Sequence, residues 1–112
     1  MPRSSGALAL KTAAPLFGAL GDRTRLGLVA RLCEQGPLSI TRLTAGTDVT
    51  RQAITRHLRV LAKAGVVRGM REGRESVWEL QPRRLQEAQR HLDQISKQWD
   101  KALDRLRALV EA

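Results

Sequence analysis

The stretch Thr50-Arg-Gln-Ala-Ile-Thr-Arg-His-Leu-Arg-Val-Leu-Ala-Lys-Ala-Gly65 predicts a short helix whose two faces differ in chemistry. Thr50 is of a residue type that caps helix starts, and Gly65 suits the left-handed conformation that commonly follows a helix end. At about 100° per residue, one face collects the apolar side chains of Ile54, Leu58 and Leu61. The opposite face collects Gln52, Arg56, Arg59 and Lys63. We therefore expect one side of this helix to pack inward and the other to present cations to solvent.

Another helix is predicted upstream, between two breaks in the chain. Gly21-Asp22 supplies a break and a capping carboxylate, and Gly36-Pro37 stops the helix. Its apolar residues recur at helical spacing at Leu26, Val29, Ala30 and Cys33. Because Cys33 is the one cysteine of the chain, an intramolecular disulfide is impossible and a thiolate metal site lacks its usual second cysteine. We expect Cys33 to be a small buried residue near the helix end.

A short helix is predicted between these two. Ser39 is placed to cap it, Ile40 and Leu43 give it an apolar side, and it ends around Ala45-Gly46. After a few turn residues, Thr50 begins the helix described first. Two short helices joined by a tight turn are the pattern of a helix-turn-helix.

Downstream of Gly65 the sequence predicts a β-hairpin. Residues 66–70 and 76–80 have the composition of strands and flank the segment Arg71-Glu72-Gly73-Arg74. Gly73 supplies the backbone freedom that a hairpin turn requires. The hairpin is therefore predicted to be the wing that follows a helix-turn-helix.

The N-terminal region is predicted as a flexible end followed by a helix. Residues 1–6 contain Pro, Ser and Gly without an apolar pattern, so we expect them to be flexible. Residues 7–20 are rich in Ala and Leu and predict a helix, although Pro15 removes one backbone hydrogen bond and predicts a kink or a new helix start. Residues 7–112 have the size of a single domain.

A long helix is predicted from Pro82 to the C-terminal end of the chain, over residues 82–111, because Pro suits the first helical position and nothing later breaks the pattern. Apolar or small residues follow one another at alternating steps of three and four, as in a coiled coil. They are Leu85, Ala88, Leu92, Ile95, Trp99, Ala102, Leu106 and Leu109. Such a stripe needs another helix against it, and the alternative is that the helix packs only on its own domain.

The balance of charge indicates a polyanionic partner. The chain has 20 Lys and Arg against 11 Asp and Glu, a formal net charge of +9. No apolar run approaches the roughly 20 residues of a membrane-spanning helix, and no signal-peptide pattern opens the chain. We therefore expect a cytoplasmic protein that binds DNA or RNA and no membrane.

The positive charge is concentrated between Thr50 and Ser76, where seven basic residues stand against two acidic ones. Phosphates attract such a face because their neutralisation releases counterions, whereas base edges require planar donors and amides. We expect Gln52 to read adenine and Arg56 to read guanine, with Thr55 beside them. The remaining candidates for DNA contact are Thr50, Arg51, Arg59, Lys63 and Arg68, together with Arg71 and Arg74 at the hairpin tip.

Catalytic and metal chemistry find no support in the sequence. His57 lies beside the packing face of its helix and His91 lies on the long helix, and a lone histidine is most often structural or on the surface. Neither belongs to a metal-ligand pattern, and no phosphate loop, carboxylate pair or activated nucleophile is recognisable. We therefore expect no enzymatic activity, no cofactor and no metal.

Three segments resemble the ArsR/SmtB repressors: Leu20-Gly-Asp-Arg-Thr-Arg-Leu26, Leu38-Ser-Ile-Thr-Arg-Leu43, and the stretch from Thr50 to Val67. The resemblance covers about residues 13–80 and follows the family's order. It implies a mainly α-helical winged helix-turn-helix with a small β-hairpin wing, an α+β fold of about five helices. It further implies a homodimer built from the first and last helices that binds a partly palindromic operator and represses transcription.

The resemblance departs from the metal-sensing members of the family. Those members carry a Cys pair near the third helix or an Asp/His and His/Glu set on the last helix. Here residues 39–43 contain no cysteine, and His91-Leu-Asp-Gln94 ends in an amide. The chain is therefore similar to the metal-independent branch, and the identity of any small-molecule inducer is not indicated.

Two other functions remain open from the sequence. The long helix could pair with another protein in a helical interaction module whose basic face is incidental. Alternatively, the basic face could bind nucleoid DNA or RNA without base preference, which would give the same dependence on salt as specific binding.

Overall fold

The computed structural model describes the backbone of residues 2–111 and the side chains of residues 11–111. Over that range the chain forms five helices and three strands, which confirms the expected mainly helical winged helix-turn-helix fold. The elements are α1 Pro2–Leu20, α2 Arg23–Gln35, β1 Leu38–Ser39, α3 Ile40–Thr44, α4 Arg51–Lys63, β2 Val67–Glu72, β3 Glu75–Leu80 and α5 Pro82–Glu111.

Helix α1 is longer than expected. It begins at Pro2, so residues 2–6, for which the sequence predicted a flexible end, have helical backbone. Pro2 fits this start because the first helical residue needs no N–H partner. Pro15 lies inside the helix and is exposed, while Ala13, Leu16 and Ala19 face the core.

Helix α2 buries a different face from the one predicted. Asp22 caps it as expected, since its carboxylate accepts a hydrogen bond from the Arg25 N–H at 3.0 Å. The buried residues, however, are Leu28, Val29 and Leu32. Of the predicted inner residues only Val29 is buried, whereas Leu26, Ala30 and Cys33 are exposed.

The error on α2 has a simple cause, which is that the helix has two apolar faces. Leu26, Ala30 and Cys33 share one face, and Leu28 and Leu32 share a nearly opposite one. The structure buries the face with two leucines because it removes more apolar area from water. Cys33 is consequently a free, exposed thiol and not the buried residue that we expected.

The helix-turn-helix follows the prediction closely. Ser39 caps α3 by accepting from the Arg42 N–H at 3.2 Å, and Thr50 caps α4 by accepting from the Ala53 N–H at 3.1 Å. Ile40 and Leu43 of α3 are buried as expected. Beyond α4, Gly65 has a φ of 79°, the left-handed conformation that the sequence indicated.

The wing belongs to a three-stranded antiparallel sheet with the order β1-β3-β2. Its hairpin is longer than predicted, so that only Gly73 and Arg74 separate the strands, with a Gly73 φ of 61°. Strand β1 was not predicted, because a two-residue strand has no periodicity to detect. Leu38 and Gly69 both lie opposite Trp78, and the indole covers Gly69 so closely that a Cβ there would lie 3.0 Å from the ring.

The hydrophobic core joins all of these elements around the inner face of α4. Ile54, Leu58 and Leu61 are completely buried and belong to one cluster with Leu16, Leu28, Leu32, Leu43 and Val66. Only the first turns of α5 contribute to it, through the buried Ala88 and the half-buried Leu85. The rest of α5 extends beyond the core, which gives the molecule extents of 66 × 32 × 20 Å.

We expect Leu58→Ala to lower the free energy of unfolding by about 2–5 kcal/mol, because it leaves a cavity where packing is complete. Leu26→Ala is the matched control, since Leu26 is 54% exposed. It should change stability by no more than about 0.5 kcal/mol. Urea denaturation monitored by circular dichroism measures both, and similar losses would contradict the burial assigned to α2.

Candidate nucleic-acid interface

The outer face of α4 carries the residues predicted to contact DNA. Six of them line one shallow concavity at the N-terminal part of the helix: Thr50, Arg51, Gln52, Thr55, Arg56 and Arg59. All are exposed except Thr55, which is half-buried. Because Gln52, Arg56 and Arg59 recur at steps of four and three, their side chains leave the helix on the same side.

The two threonines have fixed hydroxyl groups. The Thr50 hydroxyl accepts the capping hydrogen bond from Ala53, and the Thr55 hydroxyl donates to the Arg51 carbonyl at 2.9 Å. The Thr55 proton is therefore already used within the helix, and the lone pairs of the oxygen remain available to an outside donor. Gln52 and the three arginines, Arg51, Arg56 and Arg59, all carry planar groups suited to bidentate contacts, so Gln52 and Arg56 remain the predicted base readers on the ground of their position in the sequence.

Lys63 lies apart from the other predicted residues of α4. It is exposed at the C-terminal end of the helix, about 16 Å along the axis from Gln52. There it borders a cleft between α1 and α5. The structure thus separates the helix into an N-terminal part rich in base-reading chemistry and a C-terminal part with a single ammonium group.

A polar cluster on the inner side holds α4 against α1 and α2. Arg25 donates from Nε to the Ala19 carbonyl at 2.6 Å, and its Nη1 lies 3.4 Å from His57 Nδ1. Since a guanidinium only donates, His57 Nδ1 is the acceptor in this contact. The Arg25 N–H and the Arg25 charge hold the pKa of Asp22 below its ordinary value, so the carboxylate beside His57 remains ionised at neutral pH.

Helix α3 is fixed by a second arginine. Arg31 of α2 donates from Nη1 to the Leu43 carbonyl and from Nη2 to the Arg42 carbonyl, both at 2.9 Å. These carbonyls lie in the last turn of α3, where backbone acceptors lack partners within the helix. Arg25 and Arg31 therefore set the positions of both helices of the helix-turn-helix, a role that the sequence analysis missed because neither contact is local.

The basic residues of the wing differ in whether an acidic side chain of the protein neutralises their charge. Arg71 and Arg74 are exposed at or beside the hairpin tip, as expected. Arg68 is also exposed but forms an ion pair with Glu79, its partner across the two strands. The charge of Arg68 is thus partly neutralised within the protein, which makes it a weaker candidate for a phosphate contact than Arg71.

The described part of the chain has no other obvious functional site. His91 packs edge-on against Phe17 at 6.5 Å between ring centroids. Among the described side chains, those of residues 11–111, no three His, Cys, Asp or Glu group closely enough to hold a metal ion, and metal independence stays a prediction from the sequence. None of the helices in that range is long and apolar enough to span a membrane.

A cationic helix that follows a short helix and a turn, and precedes a basic hairpin, defines a winged helix-turn-helix DNA-binding protein. Comparison with known proteins agrees, since residues 20–69 match the family model described as a helix-turn-helix domain. The chain is 34% identical over 94 residues to the HTH-type transcriptional regulator Rv2034 of Mycobacterium tuberculosis, which covers 84% of each chain. It is 36% identical over 67 residues to the arsenical resistance operon repressor of Escherichia coli, covering 60% of this chain and 57% of that protein.

A solved structure, the ArsR-like transcriptional regulator from Rhodococcus sp. RHA1, is similar over 88% of this chain and 92% of its own, with 30% identity and a TM-score of 0.73. The protein belongs to the ArsR/SmtB family of winged helix-turn-helix transcriptional regulators. It is accordingly a DNA-binding transcriptional regulator. The matches lie in a family of regulators and not among known enzymes.

The wing arginines provide a matched test of charge. If Arg71 and Arg74 contact phosphates as predicted, Arg71→Ala and Arg74→Ala should each reduce the slope of log K against log salt concentration by about 1, since each variant would lose one phosphate contact. Arg68→Ala should change the slope by clearly less, because Glu79 already neutralises that guanidinium. Fluorescence anisotropy of labelled duplexes at several salt concentrations gives the slopes. Equal slopes for all three variants would show that the ion pair with Glu79 does not persist near DNA.

Proposed function

We propose that the protein is a repressor that binds a partly palindromic operator as a homodimer, paired through α1 and α5, with each α4 in a major groove. The observation that carries this proposal is the apolar stripe of α5, whose side chains past Ala88 are exposed within the part of the chain that the structure describes. Ile95 is 57% exposed, Trp99 65% and Leu106 57%. A continuous apolar surface of this kind on a single chain marks an interface.

A second copy of the chain is the occupant that fits the stripe best. A seam of alternating steps of three and four is complementary to another copy of itself, which permits a two-fold symmetric pairing. Leu103 and Val110 add apolar surface beside the seam toward the C-terminal end. The seam there is wider than a two-helix contact requires, which supports a packing that includes a further helix, for which we propose α1 of the second copy.

The proposed contacts with DNA follow from the position of each side chain on α4. Gln52 and Arg56, near the N-terminal end, are proposed to read adenine and guanine in the major groove. Thr50, Arg51 and Arg59 beside them, and Lys63 farther along, are proposed to contact phosphates. In the homodimer the two α4 helices would lie about 34 Å apart, one turn of duplex, so that both contact the same side of the DNA. Because a DNA-binding regulator works where the DNA lies, we also place the protein in the bacterial cytoplasm.

Selection of duplexes from a random pool should return an inverted repeat. On that sequence, Gln52→Ala and Arg56→Ala should each weaken binding by about 1–3 kcal/mol and relax the preference at one base pair of the half-site. Lys63→Ala, which removes one cation without a base contact, should weaken binding to the operator and to a scrambled duplex alike.

Titrations of all three variants on both duplexes at one salt concentration make the comparison. Equal losses on operator and scrambled DNA for every variant would refute the assignment of base reading. Selection of no common sequence by the wild-type chain would favour non-specific nucleic-acid binding instead.

The stripe can be tested with one substitution at two positions of the same helix. Ala102→Asp places a charge in the seam, where dimerisation would bury it, and should weaken self-association by about 100-fold. Ala108→Asp makes the same change on another face of α5, outside the seam, and should therefore leave self-association nearly unchanged. The two positions are matched because both alanines are exposed in the single chain. Sedimentation equilibrium measures both. A monomeric wild-type chain, or equal effects of the two substitutions, would contradict pairing through this seam.

A further inference from the structure

Arg84, in the first turn of α5, connects three helices with one side chain. Its Nε donates to the Ala64 carbonyl at the end of α4 at 2.9 Å, and its Nη2 donates to the Thr12 carbonyl of α1 at 2.8 Å. Its Nη1 donates to Glu87 one turn along α5. Every nitrogen of the guanidinium thus has a partner, and two of the three partners are backbone atoms of other helices.

The contact with Ala64 fixes the C-terminal end of α4. Ala64 is the capping residue of α4, and the last carbonyls of a helix lack partners within it. A cation at this end is also favoured by the helix dipole. The guanidinium is planar and rigid, so donors aimed at two separate carbonyls fix the distance and the angle between the groups that carry them.

Gly65 provides the space for this contact. It has a φ of 79°, and a Cβ at this position would lie 3.2 Å from Arg84 Cγ. The Arg84 side chain therefore lies across the glycine at the exit of α4. A backbone hydrogen bond from the Gln81 N–H to the Val66 carbonyl, at 2.8 Å, ties the same two segments together.

The charge of Arg84 is balanced locally. Its hydrogen bond to Glu87 holds the pKa of that carboxyl below its ordinary value, so the pair stays ionised at neutral pH. Arg84 is also the less exposed of the two, with a side chain 22% exposed against 32% for Glu87. A guanidinium with all its nitrogens engaged and little exposure is poorly placed to contact DNA itself.

From this geometry we propose that Arg84 is a positioning residue that sets the angle between α4 and α5, and thereby the half-site spacing that the dimer selects in its operator. The proposal rests on the proposed function, in which α5 carries the dimer seam and α4 reads the DNA. The angle between these two helices then determines how far apart the two copies of α4 lie.

Helix α4 is long enough that a small rotation around its C-terminal end would displace its N-terminal end appreciably. Helix α4 has 13 residues and is thus about 20 Å long, and Arg84 holds its C-terminal end. A rotation of about 10° around that end moves the N-terminal end by about 3.5 Å, which is close to the rise of one base pair. Gln52 and Arg56 lie near the moving end, so their register on the DNA would change while their own chemistry would not.

The experiment measures binding to a set of duplexes in which two identical half-sites are separated by about 8 to 13 base pairs, centre to centre, together with a single half-site. The proteins are the wild type, Arg84→Gln, Arg84→Lys and Arg83→Gln. Arg83 is the matched control because it is the neighbouring, exposed arginine of the same helix turn. Thermal unfolding of each protein, measured in parallel, reports any loss of stability.

For the wild type we expect one preferred spacing, with affinity about tenfold lower one base pair away from it. Arg84→Gln should flatten this profile to differences of about threefold or less while keeping the base preference at the single half-site. Arg84→Lys keeps the charge but cannot reach both carbonyls, so its profile should be intermediate. Arg83→Gln should retain the wild-type profile.

A merely structural role predicts a different pattern. If Arg84 only stabilised the fold, Arg84→Gln would weaken binding equally at every spacing and at the single half-site, which would overturn the proposal. An unchanged profile would overturn it as well. A wild-type chain with no preferred spacing would overturn dimeric operator binding itself, so the failure of the proposed function is distinguishable from the failure of this inference.

Discussion

The burial of one face of α4 is the constraint on which the rest of the structure depends. Ile54, Leu58 and Leu61 are completely buried, and they lie at the centre of the cluster to which the other elements of the domain contribute. Because a helix has fixed angular spacing, the burial of these three side chains forces Gln52, Arg56 and Arg59 to the outside. Hydrophobic packing of the inner face therefore directs the polar side chains of α4 to solvent, and no separate interaction is needed to hold each of them there.

The same core leaves most of α5 uncovered in the single chain. Helix α5 is 30 residues long, yet Ala88 is its one buried residue within the described part of the chain. A helix of this length with an exposed apolar stripe derives most of its stability from packing, since helical propensity alone is marginal in water. In the proposed dimer, folding of the C-terminal part of α5 would be coupled to formation of the interface, so that the dimer would supply stability as well as symmetry.

The sequence predicted the elements of the fold where local chemistry decides them. Thr50, Ser39 and Asp22 cap the helices that they were expected to cap, and Gly65 and Gly73 have the positive φ that their positions require. It failed on α2, where two apolar faces competed and only packing against α1, α4 and β3 selects between them. It also gave no signal for β1, whose two residues are ordered by the neighbouring strand β3. The outward face of α4 could be predicted from periodicity, whereas the ion pair of Arg68 with Glu79 depends on strand register, which the sequence did not fix.

The arginines show most clearly why composition alone overstates the charge available to DNA. Arg25 and Arg31 of α2 donate to carbonyls at the C-terminal ends of α1 and α3, and Arg84 of α5 donates to the carbonyl at the C-terminal end of α4. Each therefore supplies donors and positive charge where a helix end has free acceptors and the negative end of its dipole. These three cations bind backbone carbonyls at the ends of the helices, whereas Arg56, Arg59 and Arg71 are exposed to solvent. The 20 basic residues thus include two distinct sets: Arg25, Arg31 and Arg84 bind the ends of helices, and Arg56, Arg59 and Arg71 present charge at the surface.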